Sequence, residues 1–378
     1  MVMDEYFAVN NGMSISAQRF RAELTAKGQE VAVLANSVSG RPEFPLPEFR
    51  MPVFDPLIKR QGFRFAKADT AVIEEAVRWA DIVHLEDPFL VSAKAARIAK
   101  KLGKPCTATF HLYPENIFSS IHLGWCEPLN AGLMRIFRNY VYRFADDIIC
   151  PDEKVRRRLL QYHYTSDLHV ISNGIPDSFT IRREAKPPRL AGHFVILCIG
   201  RYSVEKNQIL LIEAVRRSRY ADRIQLVFAG QGPLAAFYRK RAAKLPLPPV
   251  FRFYTQEELR QVMDCADLYV HCALAEVEGM SCLEAIACGV VPLIMDTPKS
   301  STRKFALDGR SLFRSGSLTD LRDKIDFWIE HPALREELAA AYHRLAAGYS
   351  ISVSADQMLA VMQAAAERKD SGGNNEKA

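Results

Sequence analysis

Two series of short apolar runs, each interrupted by segments of helical periodicity, constrain the fold of this chain most strongly. The first series lies at 31–35, 82–86, 105–111, 147–150 and 168–172. The second series lies at 194–200, 224–230, 250–254, 267–273 and 290–296. Buried strands that alternate with helices predict a parallel sheet with helices on both faces. The predicted fold class is therefore α/β, with two Rossmann-like, doubly wound parallel-sheet domains.

A proline pair, several charges and a glycine interrupt this alternation between the two series. We therefore predict an N-terminal domain over 1–181, a linker over 182–193 and a C-terminal domain over 194–349. A capped helix is expected over 350–369, crossing back to the first domain, and a disordered tail over 370–378. Two such domains would face each other across a cleft, at the carboxyl ends of both sheets, where ligands bind in sheets of this type.

The start of the chain gives two local predictions. The first helix is expected over 14–28, with Ser14 or Ser16 capping its start and Gly28 ending it. The first strand of a doubly wound sheet is normally a buried apolar run. Only "VMDEYFAV" (2–9) precedes the first turn, so a short first strand is expected.

The charge of the chain limits its partners. A net charge of +6 over 378 residues is too small to argue for a nucleic-acid partner. It fits weak attraction to an anionic ligand or an anionic membrane surface. Two basic runs, 99–104 and 154–160, are interpreted as solvated helix faces, with a membrane-docking patch as the alternative.

Cysteine usage and hydropathy predict the cellular compartment. The eight cysteines form no Cys-x-x-Cys pair, which indicates a reducing compartment without a zinc site or a disulfide framework. The N-terminal residues lack the basic and apolar regions of a signal peptide. No apolar run reaches the roughly 18 residues that a membrane span needs. We expect a cytoplasmic protein, with the inner membrane surface as the alternative location.

Two glutamates lie in the otherwise small and apolar segment "AEVEGMSCLEAIACGVVPLI" (275–294). Ser281 and Glu284 fit the Ser-x-x-Glu pattern of a capping box, which would leave Glu284 a purely structural role. Alternatively, the turn at Gly279 presents the N–H groups and the positive dipole end of a helix to an anion. Glu276 and Glu284 would then flank that anion. The spacing leaves both interpretations open.

Two cations follow the first strand of the C-terminal domain. Arg201 comes directly after the strand, and Lys206 lies five residues later, at the opening of a helix. Such a pair suits a diphosphate, and ordinary surface pairing with Glu205 is the alternative. In the N-terminal domain His111 ends a strand, where residues that contact a ligand belong. A satisfied core histidine is the alternative for His111.

Glycine turns precede helices in both domains. Gly12, in "NNGMSISAQRF", would give backbone donors at the cleft, with a plain tight turn as the alternative. Gly230, in "FAGQGPLA", belongs to a Gly-x-Gly-x-x-Ala pattern, which resembles a dinucleotide fingerprint. This pattern follows the second strand of its domain, and no acidic residue occupies the ribose-binding position. A tight strand-to-helix turn is therefore the better interpretation.

Together these segments resemble one family, the retaining glycosyltransferases of the GT-B fold, specifically the large family four. The most specific match is Glu276, seven residues and Glu284, followed by "AIACGVVPLI". "IGRYSVEKN", "FAGQGPL", "CADLYVHCA" and "VISNGIPDSF" match as well. The resemblance covers nearly the whole chain, and its motifs are specific jointly rather than singly.

The resemblance implies a donor site in the C-terminal domain. Glu276 is similar to the glutamate that contacts the donor sugar, and Glu284 to the one that holds the ribose hydroxyls. Arg201 and Lys206 match the pair that neutralises the donor diphosphate so that it can leave. Backbone N–H groups for the same phosphates would come from Gly279, Met280 and Ser281.

Three further positions receive roles from the resemblance. His111 matches the first-domain histidine beside the reacting sugar. Gly12 corresponds to the glycine loop near the donor phosphates and the acceptor, although many relatives have two glycines there. Gly230 lies in the matching segment "FAGQGPL" and is assigned to donor binding. Glu278 falls where the family is variable and receives no role.

The implied reaction moves a sugar from a nucleoside-diphosphate sugar, UDP- or GDP-linked, to an acceptor hydroxyl with retention of anomeric configuration. It would serve polysaccharide or glycolipid biosynthesis. No metal or further cofactor is expected, because the cations neutralise the leaving group. Expected partners are the nucleotide sugar, a saccharide or lipid-linked acceptor, and an anionic membrane in weak contact, without nucleic acid. A non-catalytic nucleotide-sugar-binding protein is the alternative, and a nicotinamide dehydrogenase a further one.

Overall fold

The computed structural model describes residues 1–9, 11–52, 55–60, 62–119, 123–182 and 185–375. The chain divides into two compact units. The first unit contains residues 1–118 and 123–173 together with the C-terminal segment that begins at Ile351. The second unit contains Gly174–Ser350. Both units are α/β with all-parallel sheets, which confirms the predicted fold class.

Strands and helices mostly alternate along the chain, with a few consecutive pairs of the same type. The first unit contains α1 (Gly12–Ala26), β1 (Leu34–Asn36), β2 (Phe44–Leu46), α2 (Asp55–Arg60), α3 (Thr70–Trp79), β3 (Val83–Leu85), α4 (Leu90–Lys101), β4 (Cys106–Thr109), α5 (Pro114–Phe118), α6 (Glu127–Tyr140), β5 (Asp147–Cys150), α7 (Glu153–Gln161) and β6 (Asp167–Val170). The second contains β7 (Phe194–Ile199), α8 (Gln208–Val215), β8 (Ile224–Ala229), α9 (Ala235–Ala242), β9 (Val250–Arg252), α10 (Gln256–Asp264), β10 (Leu268–His271), α11 (Met280–Ala287), β11 (Pro292–Asp296), β12 (Leu312–Arg314), α12 (Leu318–Glu330) and α13 (Pro332–Ala346). Helix α14 (Ile351–Asn375) belongs to the first unit.

The N-terminal residues bridge the two groups of strands in the first unit. Val2 forms parallel bridges to Leu34 of β1 and to Leu85 of β3, and so joins β1–β2 to the sheet β3-β4-β5-β6. The Val2 N–H donates to the His84 carbonyl at 2.8 Å, and the Glu86 N–H donates to the Val2 carbonyl at 3.0 Å. These contacts are isolated bridges rather than a regular strand, whereas the sequence predicts a short first strand.

The second unit has a six-stranded sheet in the order β12-β11-β10-β7-β8-β9. Its strand order reverses between β7 and β10, because the chain winds outward from β7 through β9 and then returns to β10. At such a switch point the loops that leave the two neighbouring strands diverge and open a crevice at their carboxyl ends. The loops after β7 and β10 are therefore the ones placed to meet a ligand.

The boundary between the units lies before the predicted linker. The Ile175 N–H donates to the Tyr349 carbonyl at 2.7 Å, and Phe179 and Leu190 are buried in the core of the second unit. Part of the predicted linker is therefore core rather than spacer, and residues 183 and 184 lie outside the described residues.

The C-terminal helix is longer than the sequence predicts. Helix α14 extends to Asn375 instead of ending near residue 369, which corrects the predicted tail, and residues 376–378 lie outside the described residues. Ala355 and Met358 pack against Phe20 and Leu24 of α1, and this apolar contact binds the helix to the first unit.

Several local predictions needed correction. Helix α1 begins at Gly12, with Asn11 as its N-cap, because the Asn11 side chain accepts the Met13 N–H; Ser14 and Ser16 lie inside the helix. Gly28 follows the helix with a φ of 85°, as predicted. Strands β2 and β12 were not predicted. No helix in the described part of the chain is both long and apolar enough to cross a membrane.

Candidate functional site

The predicted cations and the first predicted glutamate lie on the two loops at the switch point of the second unit. Arg201 and Lys206 follow β7, and Glu276 follows β10. The Leu274 N–H donates to the Glu205 carbonyl at 2.8 Å, which ties the two loops together. The structure thus brings these three side chains together on one edge of one sheet.

Each cation is paired with a carboxylate. The Lys206 ammonium donates to the Glu276 carboxylate, with 22% and 17% of the two side chains exposed. The Arg201 guanidinium donates to the Glu205 carboxylate at 2.5 Å, and Glu205 is buried. Burial opposes ionisation of Glu205, but the charge and hydrogen bond of Arg201 outweigh it and lower the pKa of the carboxyl. Arg201 therefore pairs with Glu205, as the alternative in the sequence analysis stated. The carboxylate in this pair is buried rather than at the surface.

Glycines allow the loops after β7 and β8 to lie against each other. A Cβ at Gly230 would stand 2.2 Å from the Gly200 carbonyl oxygen, so only glycine fits there. The Tyr202 N–H donates to the Gln231 carbonyl at 3.0 Å, and the Leu234 N–H donates to the Tyr202 carbonyl at 3.0 Å. This backbone packing explains the glycine at position 230: it allows a tight turn that supports the loop after β7, which carries Arg201 and Lys206.

Helix α11 starts at this edge without a capping side chain. Its N-cap is Gly279, with φ 83° and ψ 56°, and no side chain accepts the first N–H groups. Of the two interpretations left open, the capping box is therefore absent: the Ser281 hydroxyl instead lies 2.9 Å from the Tyr269 hydroxyl. A Cβ at Gly279 would lie 2.2 Å from Thr302 Cγ2, which makes glycine obligatory here. The N–H groups of the first helical residues, Met280 among them, have no acceptor within the helix itself.

The second predicted glutamate lies within this helix. Glu284 is 6% exposed, one turn after the helix start. Glu278, to which no role was assigned, is 2% exposed, and its Oε1 lies 3.7 Å from the Lys304 ammonium. The backbone of Glu276 is bound to the 297–301 loop, because its N–H donates to the Lys299 carbonyl at 3.1 Å.

A buried histidine that the sequence analysis passed over completes this site. His271 ends β10 and is 3% exposed, and its Nδ1 lies 3.0 Å from the Tyr269 hydroxyl. Its Nε2 is 3.7 Å from Glu276 Oε2 and has no hydrogen-bond partner among the described residues. Burial lowers the pKa of His271 to about 4, although the Glu276 carboxylate acts in the opposite direction. The imidazole is therefore neutral at physiological pH.

The predicted histidine of the first unit is also held by a carboxylate. His111 Nε2 lies 2.9 Å from Glu86 Oε2, and 5% of the His111 side chain is exposed. Glu86 is 1% exposed, and the His84 imidazole lies 3.7 Å from its other oxygen. Burial disfavours the Glu86 anion, but the two imidazoles outweigh it and keep the pKa of the carboxyl below its ordinary value. Glu86 thus fixes the ring orientation of His111.

Further carboxyls line the same edge of the first sheet. Asp4 is 1% exposed, its N–H donates to Asp87 at 2.5 Å, and its carboxylate accepts the Ala66 N–H at 2.6 Å. Burial raises the pKa of both aspartates, and the charge of Asp87 adds to the shift at Asp4. Gly12 is the first residue of α1. Asn10, in the predicted glycine loop, lies outside the described residues.

The residues that sequence reasoning missed share a recognisable signal. Tyr269 and His271 are polar residues in the otherwise apolar run "DLYVHCA", and Glu86 ends the run "IVHLE". All three lie in or directly after strands of the two sheets that carry the predicted site residues. A polar residue at the carboxyl end of a buried strand was the available indication.

Two family models match consecutive parts of the chain. The model described as Glycosyltransferase Family 4 matches residues 10–179, and the one described as Glycosyl transferases group 1 matches residues 181–344. The two matches together cover most of both units.

Curated relatives and a solved structure agree with these matches. Alpha-monoglucosyldiacylglycerol synthase of Streptococcus pneumoniae is 25% identical over 78% of this chain and 70% of its own length. Phosphatidyl-myo-inositol mannosyltransferase of Mycobacterium leprae is 25% identical over 97% of this chain and 96% of its own. The crystal structure of Anabaena Alr3699/HepE in complex with UDP and glucose has a similar fold. Its TM-score is 0.72 at 16% identity, over 96% of this chain and 98% of that one. The chain belongs to the GT-B glycosyltransferases of the family-four type.

Proposed function

We propose that this protein is a retaining, metal-independent hexosyltransferase. It takes a sugar from a nucleoside-diphosphate sugar and transfers it to a hydroxyl of a lipid-linked or saccharide acceptor. The observation that carries the proposal is the contact between the Lys206 ammonium and the Glu276 carboxylate at the switch point of the second sheet. Arg201 lies on the same loop as Lys206, after β7. Two cations and a carboxylate at one strand edge suit a ligand that has both a diphosphate and sugar hydroxyls.

The donor diphosphate would be held by charge and by the helix N-terminus. Arg201 and Lys206 supply positive charge, and the N–H groups of Met280 and Ser281 add donors at the positive end of the α11 dipole. No metal is required for this neutralisation, because two cations and a dipole already oppose the charge that develops on the leaving group. Glu284 would accept the ribose hydroxyls.

Glu276 would orient the transferred sugar. Its carboxylate already binds the Lys206 ammonium, so the two groups lie side by side. The carboxylate could accept hydrogen bonds from the sugar hydroxyls while the ammonium contacts the phosphate. In the reaction, the bond from the anomeric carbon to the diphosphate breaks as the acceptor oxygen bonds to that carbon from the same face. The hydroxyl proton passes to the leaving phosphate oxygen. His111, oriented by Glu86, would contact the reacting sugar.

The comparisons support UDP-glucose as the first donor to test and a lipid as the first acceptor. HepE was crystallised in complex with UDP and glucose, and the two curated relatives are named for a monoglucosyldiacylglycerol and for a mannosylated phosphatidyl-inositol. GDP-linked sugars are the second donor class. We propose a cytoplasmic location in weak contact with the inner membrane surface, where a lipid acceptor would be within reach.

Thermal-shift titration followed by a transfer assay tests the proposal. UDP, GDP and ADP are compared first, because a nucleotide that binds only the folded protein raises its Tm by mass action. The preferred nucleotide sugar is then incubated with diacylglycerol, sterol and saccharide acceptors, and NMR determines the anomeric configuration of the product. We expect UDP to raise the Tm of the wild-type protein and to raise the Tm of Glu284→Ala less. In the transfer assay, an α-linked donor should give an α-linked product.

Three results would contradict separate parts of the proposal. If no nucleotide raises the Tm of the wild-type protein, the donor site is wrong. If the product is inverted, the same-face mechanism is wrong. Stable binding of a nucleotide sugar without turnover across the acceptor panel would favour the non-catalytic binding protein.

A further inference from the structure

An unusual set of exposed apolar side chains surrounds helix α6. Trp125 is 74% exposed, Leu129 40%, Ile136 50% and Tyr140 56%. Leu123, just before them, is 36% exposed. Isolated exposed apolar residues are ordinary, but a contiguous group on one element marks a surface that meets a partner.

The helix geometry aligns these residues. Leu129, Leu133, Ile136 and Tyr140 follow one another at spacings of four, three and four, which places them in one stripe along α6. The residues that α6 buries lie on an adjacent face: Asn130, Met134 and Phe137. Helix α6 therefore packs through one face and presents a second apolar face outward, on which Leu133 is half-buried and the other three residues are exposed. We call Trp125 and the four stripe residues the α6 face.

Cations border one end of this face. The Arg97 guanidinium lies 5.9 Å from the Tyr140 ring and 5.6 Å from the Phe144 ring. Lys100 and Arg143 approach the Phe144 ring at 5.8 and 4.6 Å. Helix α4, which carries Arg97 and Lys100, contains no Asp or Glu. The end of the α6 face is consequently basic.

The second basic run differs from this arrangement. Arg156 and Arg157 on α7 each lie 3.2 Å from Glu153, and Arg158 lies 2.5 Å from Glu115. Its three arginines are therefore paired with carboxylates within the protein, as expected of a solvated helix face. Of the two basic runs, only 99–104 contributes to a surface on which cations and exposed apolar residues adjoin.

We propose that the α6 face, with the cations of α4 and Arg143, docks the protein on the surface of an anionic bilayer. Apolar and aromatic side chains would enter the boundary between headgroups and acyl chains, and the cations would contact lipid phosphates. This inference rests on the proposed function for its purpose, because a lipid acceptor must be reached at the bilayer. Its evidence is separate, since no residue of the α6 face belongs to the candidate site.

Charge favours a bilayer over a second copy of the chain. In a two-fold dimer each α6 face would meet the same face of its partner, and the clusters around Arg97 and Arg143 would approach each other. Like charges placed together oppose such an association. An anionic surface instead neutralises the cations while it covers the stripe.

Vesicle flotation without donor or acceptor tests the docking directly. Wild-type protein should float with phosphatidylglycerol-rich vesicles and much less with pure phosphatidylcholine vesicles, and added salt should weaken the binding. Ile136→Glu should lower the partition coefficient at least roughly tenfold, because it places an anion in the apolar stripe. Val353→Glu is the matched control, since Val353 is a helical residue of the same unit with 53% exposure. It should bind like the wild type.

Additional variants and a hydrodynamic measurement decide the remaining outcomes. If circular dichroism shows that Ile136→Glu does not fold, Tyr140→Ser replaces it. Arg143→Gln tests the contribution of the cations that border the α6 face. Equal binding of wild type and Ile136→Glu, or no wild-type binding to anionic vesicles, overturns the proposal. A concentration-dependent dimer that Ile136→Glu abolishes, without vesicle binding, assigns the face to self-association and also overturns it. Because these assays contain no nucleotide, their failure leaves the donor-site proposal standing.

Discussion

The buried imidazole of His271 should make the second unit sensitive to acid. Burial lowers its pKa from 6.5 to about 4. As the pH falls below 6.5, His271 becomes protonated in the unfolded chain but stays neutral in the folded chain until about pH 4. The free energy of unfolding therefore falls between these two pH values. Between pH 7 and about pH 4.5, proton linkage predicts a loss of about 2 kcal/mol in the unfolding free energy from this side chain. His271→Gln keeps a polar group beside Tyr269 but does not titrate.

Urea unfolding at the two pH values measures this effect. Trp328 is fully buried in the second unit, whereas Trp79 and Trp125 belong to the first unit. All variants therefore carry Trp79→Phe and Trp125→Phe, so that the fluorescence reports the unfolding of the second unit. Other groups titrate in both proteins, and the difference between wild type and His271→Gln isolates the imidazole. We expect the variant to lose about 2 kcal/mol less than the wild type on acidification. His331→Gln, at an exposed position, should behave like the wild type. Equal losses in wild type and His271→Gln would refute the assignment of a neutral, desolvated imidazole.

Three further predictions concern the candidate site and its support. Lys206→Ala should lower turnover at least roughly 100-fold in the transfer assay, because a preorganised charge partner of the leaving group is lost; a near-wild-type rate would contradict the site. Gly279→Ala should lower the free energy of unfolding in urea by roughly 2 kcal/mol more than Gly316→Ala, because both have positive φ but only the first meets a neighbouring side chain. Glu86→Gln should reduce kcat roughly tenfold or more, with nucleotide affinity unchanged, because it releases the His111 ring; a weakened nucleotide affinity at normal kcat would argue against that role.

The charged part of the candidate site could be located from sequence to a large extent. Arg201, Lys206 and Glu276 follow predicted strands, and the rule that ligands meet the carboxyl ends of parallel strands placed them on one edge. The capping interpretation of Glu284 could not be decided from spacing. Ser281 has a competing partner in Tyr269, twelve residues earlier, and only the packing of α11 against β10 brings the two hydroxyls together.

By itself, the sequence determined the alternation of strands and helices, the fold class and the order of the motifs, because these depend on periodicity and on residues close together in the chain. Tertiary structure decided which side chains pair. Glu86 reaches His111 across 25 residues, and Lys206 reaches Glu276 across 70. The same holds for the α6 face: its stripe can be read from spacing, but only packing shows which apolar face of the helix is buried and which meets solvent. Pairing and burial depend on strand order and on the direction in which each helix packs, and neither is encoded locally.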